Sequence, residues 1–118
     1  MALLTARRVN PMVSGLLAIV FVLAGGSKLA GAKMHLENFA RWGYPAWFVY
    51  VVGLVEVAGA VLVVIPRTRF YGAVLLAANM AGAVFTHLKS AELALVPPPL
   101  ALLVLAALAA WWSRSPGR

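Results

Sequence analysis

The sequence predicts an all-α protein, a four-helix transmembrane bundle with both termini in the cytoplasm. Three observations carry that expectation. Of the 118 residues, 64% are hydrophobic and 11% charged, with a mean hydropathy of +0.93; a soluble domain of this length needs far more polar surface. The apolar residues gather in four blocks, each about long enough as a helix to cross a hydrocarbon core of about 30 Å. Lysine and arginine fall unevenly on the two sides of those blocks, which is the usual record of membrane orientation.

The blocks are "PMVSGLLAIVFVLAGGSKLAG" over 11–31, "PAWFVYVVGLVEVAGAVLVVI" over 45–65, "RFYGAVLLAANMAGAVFTHL" over 69–88 and "VPPPLALLVLAALAAWW" over 96–112. None alternates polar and apolar residues as barrel strands do. Pro11, Pro45 and the Pro97–Pro99 run are expected at helix starts and Pro66 past a helix end, the positions where proline costs least. Arg7 and Arg8 before an apolar stretch resemble a secretory signal. The length of that stretch and the late Lys28 predict an uncleaved first span instead. The connection 32–44, "AKMHLENFARWGY", predicts a short helix in the interface, placed as a lid or docking surface. One domain over 1–118 holds four such spans.

With four spans, the termini and the 66–68 turn share a side that carries Arg7, Arg8, Arg67, Arg69, Arg114 and Arg118 and no acid. The opposite side carries Lys33, Arg41 and Lys89, with Glu37 and Glu92. The arginine-rich side is therefore the expected cytoplasmic one, with the lipid bilayer as the main partner. The net charge of +7 is read as this orientation signal; no basic stripe interleaved with aromatics points to nucleic acid. The chain has no cysteine, which excludes disulfides, thiolate metal sites and thiol redox chemistry of its own. It has no aspartate either, so no Ser-His-Asp set can be assembled and no catalytic residue is assigned. His35 and His87, without a placed carboxylate or thiol, do not define a metal site.

The informative groups are polar residues inside apolar runs. Glu56 stands in the middle of the second span and Asn79 in the middle of the third. A mid-span charge costs about 2.5–3.5 kcal/mol on insertion scales, and each central Val, Leu, Ile or Phe returns about 0.3–0.6. The second span has about a dozen such residues and inserts regardless; the third has about seven and needs partners. Gly53, Gly59 and Ala60 neighbour Glu56 at helical spacing; Gly72, Gly82, Ala83 and Thr86 neighbour Asn79; Ala24, Gly25, Gly31 and Ala32 surround Lys28. Small residues let membrane helices approach until polar side chains bond across the gap, so spans one, two and three are expected to pack these faces together.

Glu56 and Asn79 both fall about 16 Å along their helices and meet near the midplane. Lys28 and His87 fall near the outer edge, so Lys28 reaches Glu56 only by extending inward. Two states of Glu56 stay open: an ion pair with Lys28, or a neutral acid bonded to Asn79. Two roles stay open as well. The polar residues either fix helix register, or line a small polar cavity that opens outward through Lys28, Thr86 and His87. The second makes Lys28, Glu56, Asn79, Thr86 and His87 the candidate ligand-binding residues, since intramembrane ionisable groups mark ligand and proton paths.

The order "FVLAGGSKLAG", "WGYP", "VGLVEVAGAVLVVIP", "NMAGAVFTHL", running from Leu16 to Leu88, resembles the DoxX-like family of small bacterial membrane proteins. The resemblance implies a four-helix transmembrane bundle and directs attention to Lys28, Gly43, Pro45, Gly53, Glu56, Gly59, Ala83 and His87. The family takes its name from a subunit associated with thiosulfate:quinone oxidoreduction, and some relatives are linked to membrane redox assemblies. On that analogy the chain is expected to be a membrane subunit or adaptor that binds a quinone- or lipid-like molecule for a redox partner protein. The alternatives are a small proton-coupled carrier or exporter acting as a homo-oligomer, and a purely structural assembly protein. The paired broken helices of many transporters are absent from the pattern.

Overall fold

The computed structural model describes residues 2–114, with side chains from residue 7. Five α-helices follow one another: α1 (Ala2–Leu29), α2 (Lys33–Arg41), α3 (Ala46–Val64), α4 (Arg69–Lys89) and α5 (Pro97–Ser113), with a 3-10 turn over Leu93–Leu95 before the last. No strand occurs among the described residues. Four stretches are long and apolar enough to cross a membrane: Arg7–Leu29, Ala46–Val64, Arg69–Lys89 and Leu93–Ser113. The spans run up, down, up and down around a ring in which α1 packs on α3, α3 on α4, α4 on α5 and α5 back on α1. One end of this ring carries α2 and the 90–96 turn; the other carries the termini.

Prolines set most of the boundaries. Pro45 caps α3 with φ −70°, and Pro97–Pro99 open α5. Pro66 follows the extended Ile65 that ends α3. Pro11 is the exception: it lies inside α1 and not at its start. Its missing N–H removes one backbone bond, but nine residues of helix already precede it.

Three turns at the α2 end share one hydrogen-bond pattern. After α1, Gly31 N–H donates to the Lys28 carbonyl and Ala32 N–H to that of Ser27. After α2, Gly43 and Tyr44 donate in the same way to Ala40 and Phe39. After α4, Ala91 and Glu92 donate to Leu88 and His87. This is the Schellman arrangement, which needs a left-handed residue just past the helix. Gly31 (φ +73°) and Gly43 (φ +89°) adopt it freely, whereas Ala91 (φ +57°) carries a Cβ that opposes it. Ala91→Gly is therefore expected to stabilise the protein by about 1 kcal/mol, read as a higher melting temperature in detergent. A lower one would mean that Ala91 does not hold this conformation.

Glycines bring α3 close to its neighbours on both sides. A Cβ at Gly25 would lie 2.7 Å from the Gly53 carbonyl oxygen, and one at Gly53 would lie 2.9 Å from the Gly25 oxygen, so α1 and α3 touch backbone to backbone. On the other side of α3, Gly59 receives Leu76, and Gly72 of α4 sits against the backbone of Leu62 and Val63. The expectation that spans one, two and three pack mutually is corrected here. In the ring, α1 and α4 lie across the diagonal and α3 stands between them. Gly82 is also outside these contacts, with open space where a Cβ would be.

The core of the termini half is Leu17, Phe21, Ala60, Val63, Ala73, Leu76, Ala106 and Ala109. A polar pair joins α1 to α5 there: Asn10 Nδ2 donates to Ser113 Oγ at 2.8 Å, and Ser14 Oγ donates to Asn10 Oδ1 at 3.4 Å. At the start of α4, Thr68 Oγ1 donates to the Leu62 carbonyl at 2.7 Å and Arg69 Nε to that of Val63 at 2.8 Å. These bonds satisfy carbonyls that the end of α3 leaves free. Large apolar side chains such as Ile19, Leu23, Leu54, Val61, Phe85 and Val104 face outward on the spans, as a lipid-facing surface requires.

Candidate functional site

Antiparallel packing of α1 on α3 sets Lys28 beside Gly53 and Gly25 beside Glu56. Gly53 lies seven residues into α3, so Lys28 sits about 10 Å below the start of that helix. The expected position of Lys28 at the outer edge is thereby corrected: α1 stops short of α3, and α2 lies over its end. From there the lysine needs to reach only one turn deeper. Lys28 Nζ lies 2.9 Å from Glu56 Oε1, and Asn79 Nδ2 of α4 donates to Glu56 Oε2 at 2.8 Å. The sequence left an ion pair and an amide bond as alternatives for Glu56; the carboxylate holds both at once, one on each oxygen. Glu56 is 2% exposed and the Lys28 side chain 12%. The arrangement ties three helices together.

Lys28, Glu56, Asn79, Thr86 and His87 all line one cavity of about 670 Å³. They do not form one network. Thr86 Oγ1 is 2.8 Å from Tyr44 Oη, and His87 Nδ1 is 3.0 Å from Glu92 Oε1, in a second polar cluster at the α2 end. The cavity lies between all four spans, is lined at one end by α2 and is partly open. Its walls are mostly apolar, with Val20, Ala24, Val52, Ala83, Pro99 and Leu102 among them. The small polar cavity expected from sequence is thus a larger, chiefly apolar one with a charged patch on its wall. The volume is within the range of small-molecule sites, about 300–1,000 Å³.

Helix α2 is held by aromatic packing and by one carboxylate. Phe39 is buried against Trp42, Tyr44 and Phe48, with ring centroids 5.3–6.0 Å apart. Glu92 accepts from Arg41 Nη2 at 2.7 Å and Trp42 Nε1 at 3.0 Å, and its Oε1 also meets His87. On the other side of α2, His35 Nε2 lies 2.7 Å from Ser27 Oγ. Sequence reasoning missed Glu92, Tyr44 and the Ser27–His35 pair as parts of this cluster. Glu92, Arg41 and Trp42 fall on the same side of the spans, which was the available signal; the partners themselves are set by how α2 folds back.

Acidification should loosen this clasp in two steps. Burial, then the nearby Lys28 charge, hold His35 below its ordinary value of 6.5, with Glu56 opposing. Glu92 is held below the ordinary 4.5, first by its bond from His87, then by Trp42 and Arg41, against some desolvation. For both groups the folded state binds protons less readily than the unfolded chain, so stability rises with pH. The His35 contribution is present above about 6.5 and fades as pH falls through its lowered folded value; the Glu92 contribution fades further down, below about 4.5. Amide exchange in α2, corrected for intrinsic rate, should increase in that order, and the lower step should vanish in Glu92→Gln. Protection that stays flat across both windows would contradict it.

Four apolar spans around a cavity with the Lys28–Glu56 pair on its wall define a small multi-pass helical membrane protein with a ligand-sized interior. The comparisons with known proteins narrow this class. The family model described as the DoxX-like family matches residues 12–109, and the chain belongs to that family. It is 33% identical over 91 residues to the uncharacterized protein YdgD of Bacillus subtilis (strain 168), covering 73% of this chain and 80% of YdgD. No solved structure matches the chain. The residues to which the resemblance directed attention have distinct places here. Gly43 and Pro45 shape the α2–α3 turn, Gly53 and Gly59 are helix contacts, and Lys28, Glu56, Ala83 and His87 face the cavity.

Proposed function

We propose that this protein binds a quinone- or lipid-like amphiphile in the cavity between its spans, as a membrane subunit serving a redox partner. The observation that carries the binding is the pairing of about 670 Å³ of mostly apolar space with the Lys28–Glu56–Asn79 contacts on its wall. A tail would lie among Val20, Ala83 and Leu102, and a polar head would meet Lys28 and Asn79. The quinone-like head group and the redox partner come from the family resemblance. Orientation, with both termini in the cytoplasm of a bacterial inner membrane, rests on Arg7, Arg8, Arg67, Arg69 and Arg114 sharing one end. Arg118 of the same set lies outside the described residues.

Native mass spectrometry of the detergent-extracted protein tests the binding: a bound amphiphile should be seen, and a short-chain benzoquinone should displace it. Gly82→Phe, which places a ring in open space at the cavity, should abolish retention while the melting temperature is kept. Equal retention by that variant would remove the cavity from the reading. Single-cysteine variants at Arg67 and Lys33 in this cysteine-free chain test orientation, with only the second open to an impermeant maleimide outside the cell.

A further inference from the structure

The charges that line the cavity all have partners within reach. Lys28 lies on Glu56. Arg41 and His87 both lie on Glu92. His35 bonds to the Ser27 hydroxyl, and burial together with the Lys28 charge favours its neutral form. The two fixed cations on its wall among the described residues, Lys28 and Arg41, therefore each have a carboxylate partner. Of the three N–H donors on Lys28 Nζ, one meets Glu56 Oε1, and Nζ has no other hydrogen-bond partner among the described residues. Asn79 spends one Nδ2 hydrogen on Glu56, and its Oδ1 has no partner among the described residues. Neither group is sealed off: the Lys28 side chain is 12% exposed and lines the cavity, and no fully buried side-chain polar atom among the described residues lacks a partner, so the unpaired Asn79 Oδ1 is accessible.

From this pattern we infer that Glu56 sets the charge class of the occupant: the site takes a neutral amphiphile whose head group carries a hydrogen-bond acceptor such as a carbonyl, and discriminates against anionic head groups. The inference rests on the binding reading above and adds its specificity. An acceptor oxygen takes a spare N–H of Lys28, which the positive charge makes a strong donor. An anionic head gains little, since the ammonium it would meet is already neutralised 2.9 Å away by a carboxylate that repels it. Its own desolvation then goes uncompensated. A basic residue in a membrane cavity would ordinarily suggest an anionic ligand; the glycine contact at Gly25–Gly53, which lets Glu56 reach Lys28, reverses that expectation.

The test uses two probes of the same chain length, a long-chain primary amide and the corresponding alkyl sulfonate, bound to full-length protein in neutral detergent. Wild type should bind the amide saturably and the sulfonate at least about tenfold more weakly. Glu56→Gln keeps the shape and the Asn79 contact but frees the ammonium; it should reverse the preference, with the sulfonate gaining about tenfold or more. The double variant Lys28→Met with Glu56→Gln removes both charges and should again reject the sulfonate, while holding the amide less tightly than wild type. Wild type that binds both probes equally, or a Glu56→Gln protein with unchanged preference, would overturn the inference and leave amphiphile binding intact. If Glu56→Gln does not fold, the wild-type comparison and the double variant decide the question. Failure of both probes to bind wild type saturably would instead overturn the binding reading itself.

Discussion

Replacing Glu56 by alanine is expected to destabilise the protein by about 3 kcal/mol or more, the range found when one member of a buried ion pair is removed. Two losses combine. Lys28 is left as an ammonium with 12% of its side chain exposed and no carboxylate, and Asn79 loses its acceptor on the neighbouring helix. The second loss is the smaller, since interhelical hydrogen bonds in membranes average about 0.6 kcal/mol. Most of the effect is therefore the stranded charge, and it should be reversible by removing that charge. Lys28→Met combined with Glu56→Met should recover most of the stability, because buried pairs replaced by apolar residues of similar volume are often neutral or better. Unfolding in graded SDS, with helix content as the signal, measures both. A Glu56→Ala protein within about 0.5 kcal/mol of wild type would show that the pair does not form.

Gly72→Ala is expected to weaken the bundle by about 2–3 kcal/mol, although it adds a single methyl group to a helix. The new Cβ would stand 2.5 Å from the Val63 backbone nitrogen and 2.8 Å from the Leu62 carbonyl carbon. Backbone cannot move aside as a side chain can, so α4 would be forced away from α3. Helix propensity acts in the opposite direction, since alanine is favoured over glycine by about 1 kcal/mol within a helix. Gly26→Ala and Gly82→Ala isolate that term, because a Cβ at either position meets open space. These two should raise the melting temperature slightly while Gly72→Ala lowers it. If all three move in the same direction, the close approach of α3 and α4 at Gly72 is wrong.

The same glycines show how far sequence reading reaches. Gly53, Gly59 and Gly72 could be named as helix contacts from their spacing around Glu56 and Asn79, and each one is. Gly82 also falls at helical spacing from Asn79, yet faces open space. Periodicity assigns a residue to a face, but it does not say whether a helix stands opposite that face or a void does. Lys28 carries a similar lesson. Its place near the end of α1 was legible, but its depth was not, because depth depends on how far α3 and α2 extend past that end. For Glu92 and His35 the side of the spans was legible but the pairing was not, since Trp42 lies 50 residues from Glu92 and Ser27 lies 8 residues from His35 across a turn that must fold first.

What the sequence by itself determined is the class of the molecule and the chemical character of its unusual groups. Four apolar runs of membrane length must become helices, because lipid offers nothing to an unpaired backbone. A lone acid and a lone amide within them must find company. Only the tertiary structure decided which company. The Gly25–Gly53 contact slides α1 along α3 until Lys28 reaches Glu56. The ring order then keeps α1 and α4 apart, so that space remains where three mutually packed spans would have left none. Both outcomes depend on the relative offset of helices, a quantity fixed by contacts between distant segments and not by the local pattern of any one of them.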